Sequence, residues 1–201
     1  MRKCSKPSQY YYLIMNKPCG YVCAAASDSH KTVYELLTPE LRQLVSGAPR
    51  GSRLHTVGRL DCDTSGLLLI TNDGKFSNRI TANSEVSKTY RARLAVPVSP
   101  ENQKSYISRA AAGLILPPEK KYSEQKALPA SLSFETEQIC KITVHEGKFH
   151  EVRRIFRALG NEVTELARLS IGDLELPPDL KPGQWRDMTE EEKARLSGQA
   201  R

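Results

Sequence analysis

The chain has 201 residues, 39% hydrophobic and 26% charged, an ordinary globular composition with length for one substantial core or two small lobes sharing a sheet. Its longest apolar runs, residues 13–15 and 67–70, fall far short of a bilayer span, and the basic N-terminus lacks the apolar stretch of a signal peptide. The net charge of +7 resides wholly in residues 1–93, and 42–59 carries four arginines and no acid, which points to a polyanion, nucleic acid first, against the plainer reading of a merely basic soluble protein.

Residues 10–15 read as a first strand, closed by the turn chemistry of Asn16-Lys17-Pro18-Cys19-Gly20, with an extended run resuming at 21–24. A short helix is expected over 32–37 and a loop over 46–52, which holds two glycines and a proline. Residues 66–71 form a β run that ends at Asn72-Asp73-Gly74, followed by a brief helix over 75–81 and an alternating strand over 88–96. Ser99-Pro100-Glu101 starts a helix that runs to about Gly113, with Ser as N-cap and Pro in its first turn. Strands follow at 132–134 and 139–144. The strongest helix covers 148–159, where Val152, Ile155, Phe156 and Leu159 recur at helical spacing and Gly160 supplies the stop. Residues 162–169 and 173–176 are strand-like, and Thr189 with Glu192 forms a capping box for a last short helix. Strands outnumber helices without regular alternation, so an α+β fold with a mixed, largely antiparallel sheet is expected. There is no internal repeat and no low-complexity segment.

Three segments are dense in chemistry. In the run from Gly58 to Gly74, Asp61 and Asp63 sit in a Gly-bounded loop just before a buried strand, with Arg59 two residues upstream of Asp61. Such loops display reactive groups, although an isolated Asp there more often caps a turn. Around 148–159 the helical wheel sets His150, Arg153, Arg154 and Arg157 opposite the apolar stripe. That is a face able to hold phosphates, or simply a solvated one. In Lys88-Thr89-Tyr90-Arg91-Ala92-Arg93 an aromatic lies among cations, suited to stacking on an unpaired base, or equally to packing on the core face of a strand. The cysteines at 4, 19, 23, 62 and 140 make no C-x-x-C pair, so reduced thiols in a cytoplasm-like compartment are expected. His145 and His150 are not at metal-ligand spacing, and no phosphate-binding or dinucleotide-binding glycine loop occurs.

Gly58-Arg59-Leu60-Asp61-x-Asp63-Thr64-x-Gly66-Leu67-Leu68 resembles the signature of RNA pseudouridine synthases, and specifically their RsuA-like branch. The likeness continues in order through Asn16-Lys17-Pro18-x-Gly20-Tyr21-Val22-Cys23, Thr71-Asn72-Asp73-Gly74 and Lys88-Thr89-Tyr90. It then takes in Glu146-Gly147-Lys148-Phe149-His150-x-Val152-Arg153-Arg154, Val163-x-x-Leu166-x-Arg168-x-x-Ile171-Gly172 and Pro182-Gly183-x-x-Arg186. It implies the pseudouridine synthase fold, with helices flanking the sheet and an active-site cleft between two lobes of one catalytic domain, 1–201. It implies isomerisation of uridine in RNA without cofactor or metal. Asp61 matches the catalytic aspartate, Tyr90 the tyrosine that packs on the target base, and Arg153 the basic partner of the aspartate. Leu166 matches an apolar pocket residue. Arg59, Lys88, Arg154 and Arg157 are then expected on flanking phosphates.

The branch typically carries an N-terminal S4 RNA-binding domain. Here the catalytic pattern starts by Tyr10, so no S4 domain is expected. The Gly20-Tyr21-Val22-Cys23 run leans toward the small-subunit rRNA enzyme, with a large-subunit uridine as the alternative target. The substrate is expected as rRNA, free or in a ribosome assembly intermediate, met by a cytoplasmic protein that has no membrane partner and needs to be no more than a monomer. Two other readings compete. One is a catalytically silent RNA-binding or ribosome-assembly protein on the same fold. The other is an Asp-nucleophile phosphatase, which would cluster Asp61 and Asp63 with a third acid around Mg²⁺.

Overall fold

The structure, a computed structural model, describes residues 9–49 and 51–197; Cys4 and Arg50 lie outside them. The chain divides into two compact units, one from residues up to Asn83 and from Gly172 onward, the other Ser84–Ile171.

In the first unit, strand β1 (Tyr12–Lys17) holds Leu13, Ile14 and Met15 at 1%, 0% and 0% exposure. Successive side chains of a strand point to opposite faces, so a run buried at every position is covered on both. Two-residue strands β2 (Tyr21–Val22) and β3 (Lys31–Thr32) pair in parallel, and a single 3-10 turn, Val33–Leu36, follows. Its entry is fixed by Glu35, whose carboxylate accepts from the Thr32 amide at 2.7 Å.

Helix α1 (Pro39–Ser46), which is not among the expected elements, carries Leu41, Leu44 and Val45 at helical spacing. Its start signal is Thr38-Pro39-Glu40: the Thr38 side chain accepts from Leu41 N, and Pro39 occupies the first helical position. Strand β4 (His55–Thr56) precedes β5 (Thr64–Thr71), in which Leu67, Leu68, Leu69 and Ile70 are all fully buried. Helix α2 (Gly74–Ala82) begins where Asp73 Oδ1 accepts from Lys75 N and Phe76 N; the other carboxylate oxygen takes the Tyr12 hydroxyl at 2.8 Å.

The second unit opens with β6 (Lys88–Leu94) and α3 (Pro100–Ala111), the latter close to its expected span. A small hairpin, β7 (Ile115–Leu116) with β8 (Gln125–Lys126), has no counterpart in the sequence reading because two-residue strands carry no period. Strands β9 (Ser131–Phe134) and β10 (Ile139–Val144) match expectation. Helix α4 (Glu151–Ala158) starts three residues later than its pattern suggests, because His150 takes a left-handed φ of 48° that no helix continues. Gly160, at φ 87°, ends it.

Strand β11 (Val163–Ile171) completes an antiparallel ladder in the order β11-β6-β10-β9. Ala92, Leu94, Cys140 and Ile142 from this ladder pack with Val152, Ile155, Phe156 and Leu159 of α4 into one core. The predicted apolar stripe of α4 is thus the buried one.

The chain then returns to the first unit as β12 (Leu174–Glu175), β13 (Trp185–Asp187) and α5 (Glu190–Ser197). The α5 capping box is present in both directions: Thr189 N donates to Glu192 Oε2 at 2.8 Å, and Glu192 N to Thr189 Oγ1 at 3.2 Å. β13 pairs antiparallel with β1, which pairs antiparallel with β5, so β1 is an interior strand. The fold is α+β, and its ladders within each unit are antiparallel apart from the short β2–β3 pair. Among the described residues no helix is long and apolar enough to cross a membrane.

Leu69 of β5 lies opposite Ile14 of β1, and both are 0% exposed. Leu69→Ala should therefore cost about 2–5 kcal/mol, read as a lower urea midpoint at unchanged slope. A loss below about 0.5 kcal/mol would mean that β5 is not covered on both faces.

Candidate active site

Asp61 stands in the loop between Gly58, at φ 70°, and β5. Its backbone carbonyl accepts from Thr64 N at 3.1 Å, closing a turn that leads into the strand. The same carbonyl accepts from Lys17 Nζ at 2.9 Å. Lys17 is 0% exposed, and its ammonium also donates to Thr64 O at 2.8 Å, Pro18 O at 3.2 Å and Cys62 O at 3.5 Å. Burial lowers the Lys17 pKa, opposed by the nearby thiols of Cys23, Cys19 and Cys62 and by Asp61.

Two further bonds tie the segments together: Gly20 N to Cys62 O at 2.8 Å and Leu60 N to Cys23 Sγ at 3.5 Å. The Asn16-Lys17-Pro18 motif and the Gly58–Gly66 motif, far apart in sequence, thus form one assembly. The sequence signal that marks Lys17 is its phase: it follows Leu13 and Met15 at every second residue of β1, directly before Pro18, so its side chain shares their buried face. Arg59 and Asp63 are exposed on this loop and Asp61 is half-buried.

Among the described residues no group of three His, Cys, Asp or Glu is placed to hold a metal. The third acid that the phosphatase reading needs is therefore not among them. Cys19 is exposed, Cys62 half-buried and Cys140 buried.

In the second unit Tyr90 lies on β6 directly opposite Ile142 of β10 and Arg168 of β11. It is half-buried and packs against the core, so the core-facing reading of this tyrosine describes its position. Leu166, 6% exposed, faces Ala92 two residues along β6 and shares the Tyr90 face. Arg168, 4% exposed, is placed opposite Tyr90, a neighbour that strand register shows and sequence spacing does not. Arg153, on α4, donates from Nη1 to Val163 O at 2.9 Å.

Two expectations change. Arg154 does not face solvent beside Arg153 and Arg157: it is 0% exposed. The segment around β7 and β8 covers that side of α4, and the Arg154 guanidinium donates to Pro117 O at 2.8 Å, Ser123 O at 2.9 Å and Gln125 Oε1 at 3.0 Å. Its donors are used within the protein, so it holds this segment and not a phosphate. Lys88 is also buried, at 8%. Burial first, and then the Arg168 charge, lower its pKa, while Glu151 opposes them. Arg157 remains exposed, with Nη1 at 3.3 Å from Glu119.

Glu151, in the first turn of α4, is buried. Burial, then the hydrogen bond to Glu146 and that group's charge, push its carboxyl well above the usual range. Burial pulls Glu146 the same way, but the Lys148 ammonium and the Leu128 amide outweigh it and hold Glu146 low. Glu151 therefore keeps a proton and shares it with an ionised Glu146.

The family model described as RNA pseudouridylate synthase matches residues 11–158. The chain is 40% identical to a protein of Escherichia coli (strain K12) named ribosomal small subunit pseudouridine synthase A, over 90% of this chain and 71% of that one. It is 39% identical to the protein of the same name from Yersinia pestis, over 90% and 70%. A solved structure described as a pseudouridylate synthase superposes with TM-score 0.80 at 36% identity, covering 94% of this chain and 74% of that one. A chain of a Cbf5-Nop10-Gar1 complex shares the fold at TM-score 0.56 and 17% identity, covering 87% of this chain and 55% of its own.

Lys17→Met keeps the bulk and removes the donor, leaving buried carbonyls of the Asp61 loop unsatisfied. A loss of about 2–4 kcal/mol is expected in chemical denaturation, and wild-type stability would show that the ammonium does not hold the loop. Glu151 binds its proton more tightly folded than unfolded, so the stability it contributes is full at low pH and declines as pH rises from about 5 through neutrality. Glu151→Gln should flatten that decline; an unchanged slope of stability against pH would contradict the shared proton.

Proposed function

The chain belongs to the RNA pseudouridylate synthase family, and from that premise we propose that it converts a specific uridine of small-subunit ribosomal RNA to pseudouridine, with Asp61 as the reacting carboxylate. The observation that carries the substrate is the 40% identity, across 90% of this chain, to a relative whose name states that activity. The loop held by Lys17 is the feature that supports the choice of carboxylate.

The reaction breaks the bond from uracil N1 to C1′, turns the detached base and joins C5 to C1′, after which C5 loses its proton and N1 ends carrying one. Composition does not change, so neither oxidant nor phosphoryl donor enters. The residues leave attack on the base or on the sugar open; we place it at the sugar, where Asp61 serves as nucleophile or as the base that removes the 2′ proton, both of which need an ionised carboxylate. Arg153 is the residue proposed as its basic partner.

Tyr90 offers a ring face to the uracil while it is detached and turning. Leu166 supplies apolar surface alongside, and Arg168 with Lys88 adds positive charge behind the ring. The target atoms are out of reach within a base stack, so the nucleotide is taken out of it. Exposed Arg59 and Arg157 hold flanking phosphates, which position the strand without reading it.

Release of tritium from RNA labelled at uridine C5 reads the last step directly. Small-subunit RNA, large-subunit RNA and partly assembled subunits, each incubated with wild type and Asp61→Asn, are the arms. Release from a small-subunit substrate is expected, with Asp61→Asn lower by at least about 10³-fold, on the order of 4 kcal/mol in the barrier. Full turnover by Asp61→Asn would remove Asp61 from the chemistry. Release from large-subunit RNA alone would reassign the substrate.

A further inference from the structure

Glu119 and Tyr122 close a four-residue turn with reciprocal backbone bonds of 2.9 Å, which puts Lys120 and Lys121 at its exposed tip. Lys120 has φ 52°, a left-handed conformation that tight turns ordinarily give to glycine or asparagine. Behind the tip stand three rings. Tyr122 stacks on Phe149 with centroids 4.4 Å apart and planes 13° apart; Phe149 stacks on His150 at 3.9 Å and 14°. Lys121 Nζ lies 5.7 Å from the Tyr122 centroid, and Lys120 Nζ lies 5.7 Å from that of Phe149.

The turn is anchored from below. Glu119 bonds His150 Nδ1 at 2.9 Å and lies 3.3 Å from Arg157 Nη1. Buried Arg154 donates to main-chain carbonyls on both sides of the turn, Pro117 and Ser123. Two non-glycine residues have positive φ here: Lys120, in the turn that the Arg154 guanidinium brackets, and His150, whose ring is held by Glu119. Strain of this kind persists only where the surroundings impose it, and it gathers at working surfaces.

We propose that this turn is a second RNA contact: Lys120 and Lys121 take backbone phosphate, and the ring face of Tyr122 takes an unpaired base flanking the target uridine. The chemistry of the turn matches single-stranded nucleic acid, since a ring presented among ammonium groups stacks on any base while the cations neutralise the chain. Arg154 is a positioning residue for the contact, because it fixes the turn upon α4. The proposal rests on the RNA-substrate reading above.

The test is steady-state turnover of the RNA substrate by the full chain, together with the salt dependence of binding. The variants are Lys120→Ala with Lys121→Ala, Tyr122→Ala and Tyr122→Phe. Losing one stacked base should raise KM for Tyr122→Ala roughly tenfold with kcat within about twofold, and Tyr122→Phe should restore the wild-type value. Losing two phosphate contacts should make the slope of log K against log salt shallower by about 1.4 in the double lysine variant.

Wild-type KM and salt slope in both alanine variants, with wild type active, would overturn the contact. So would Tyr122→Phe behaving as badly as Tyr122→Ala. Because both lysines are exposed, their variant stays informative even if Tyr122→Ala unfolds. Wild-type protein that leaves the RNA unmodified would overturn the substrate reading, and this contact with it.

Discussion

A buried ammonium needs acceptors, and those of Lys17 are the main-chain oxygens of the loop that carries Asp61. A cation cannot stay charged in an interior without such partners, so a fully buried Lys constrains whatever supplies them. Here the supplier is a loop with little regular structure of its own. The lysine ends β1, an interior strand between β13 and β5, so its side chain passes the rigidity of the sheet to the loop. The leucine run of β5 fixes the other end of the loop. Placement of the carboxylate thus depends on the packing of two apolar strands and one charge.

The second unit uses the same device. Arg154 is as deeply buried as Lys17, and it too binds main-chain carbonyls of a segment that lacks a core of its own. In both units a basic residue that composition alone would count toward a polyanion site serves the interior. The cations that stay exposed are fewer: Arg59 on the Asp61 loop, Arg157 on α4, and the lysines of the turn beside it, and the proposed RNA contacts fall to these. Charge counted along a chain overstates the charge available to a partner.

Much of this was legible in the residues. The apolar runs of β1 and β5, the stripe of α4, the capping box of α5 and the ends of β10 follow from periodicity and capping, which are local physics. The likeness of several motifs in order reached the family, which no single segment did. What stayed hidden was set by distant contacts. Helix α1 has a cap and an apolar triplet, Leu41, Leu44 and Val45, but spans only eight residues, and the β7–β8 hairpin has no period at all. A helical wheel places Arg154 with Arg153 and Arg157, but it cannot show that a remote segment covers one of the three. Arg168 became visible only when strand register set it opposite Tyr90. The His150 break in α4 likewise follows from tertiary contacts, its stack with Phe149 and its bond to Glu119.

The central claim is that Asp61 and Tyr90 act on the same uridine, one at the sugar and one at the base. The most direct measurement is a crystal structure of the protein with substrate RNA carrying fluorine at C5 of the target uridine, which blocks the final proton loss. The account predicts the target base out of its stack with its ring on Tyr90 and its ribose at the Asp61 carboxylate. A target nucleotide bound with its ribose away from Asp61, or with its base away from Tyr90, would contradict it.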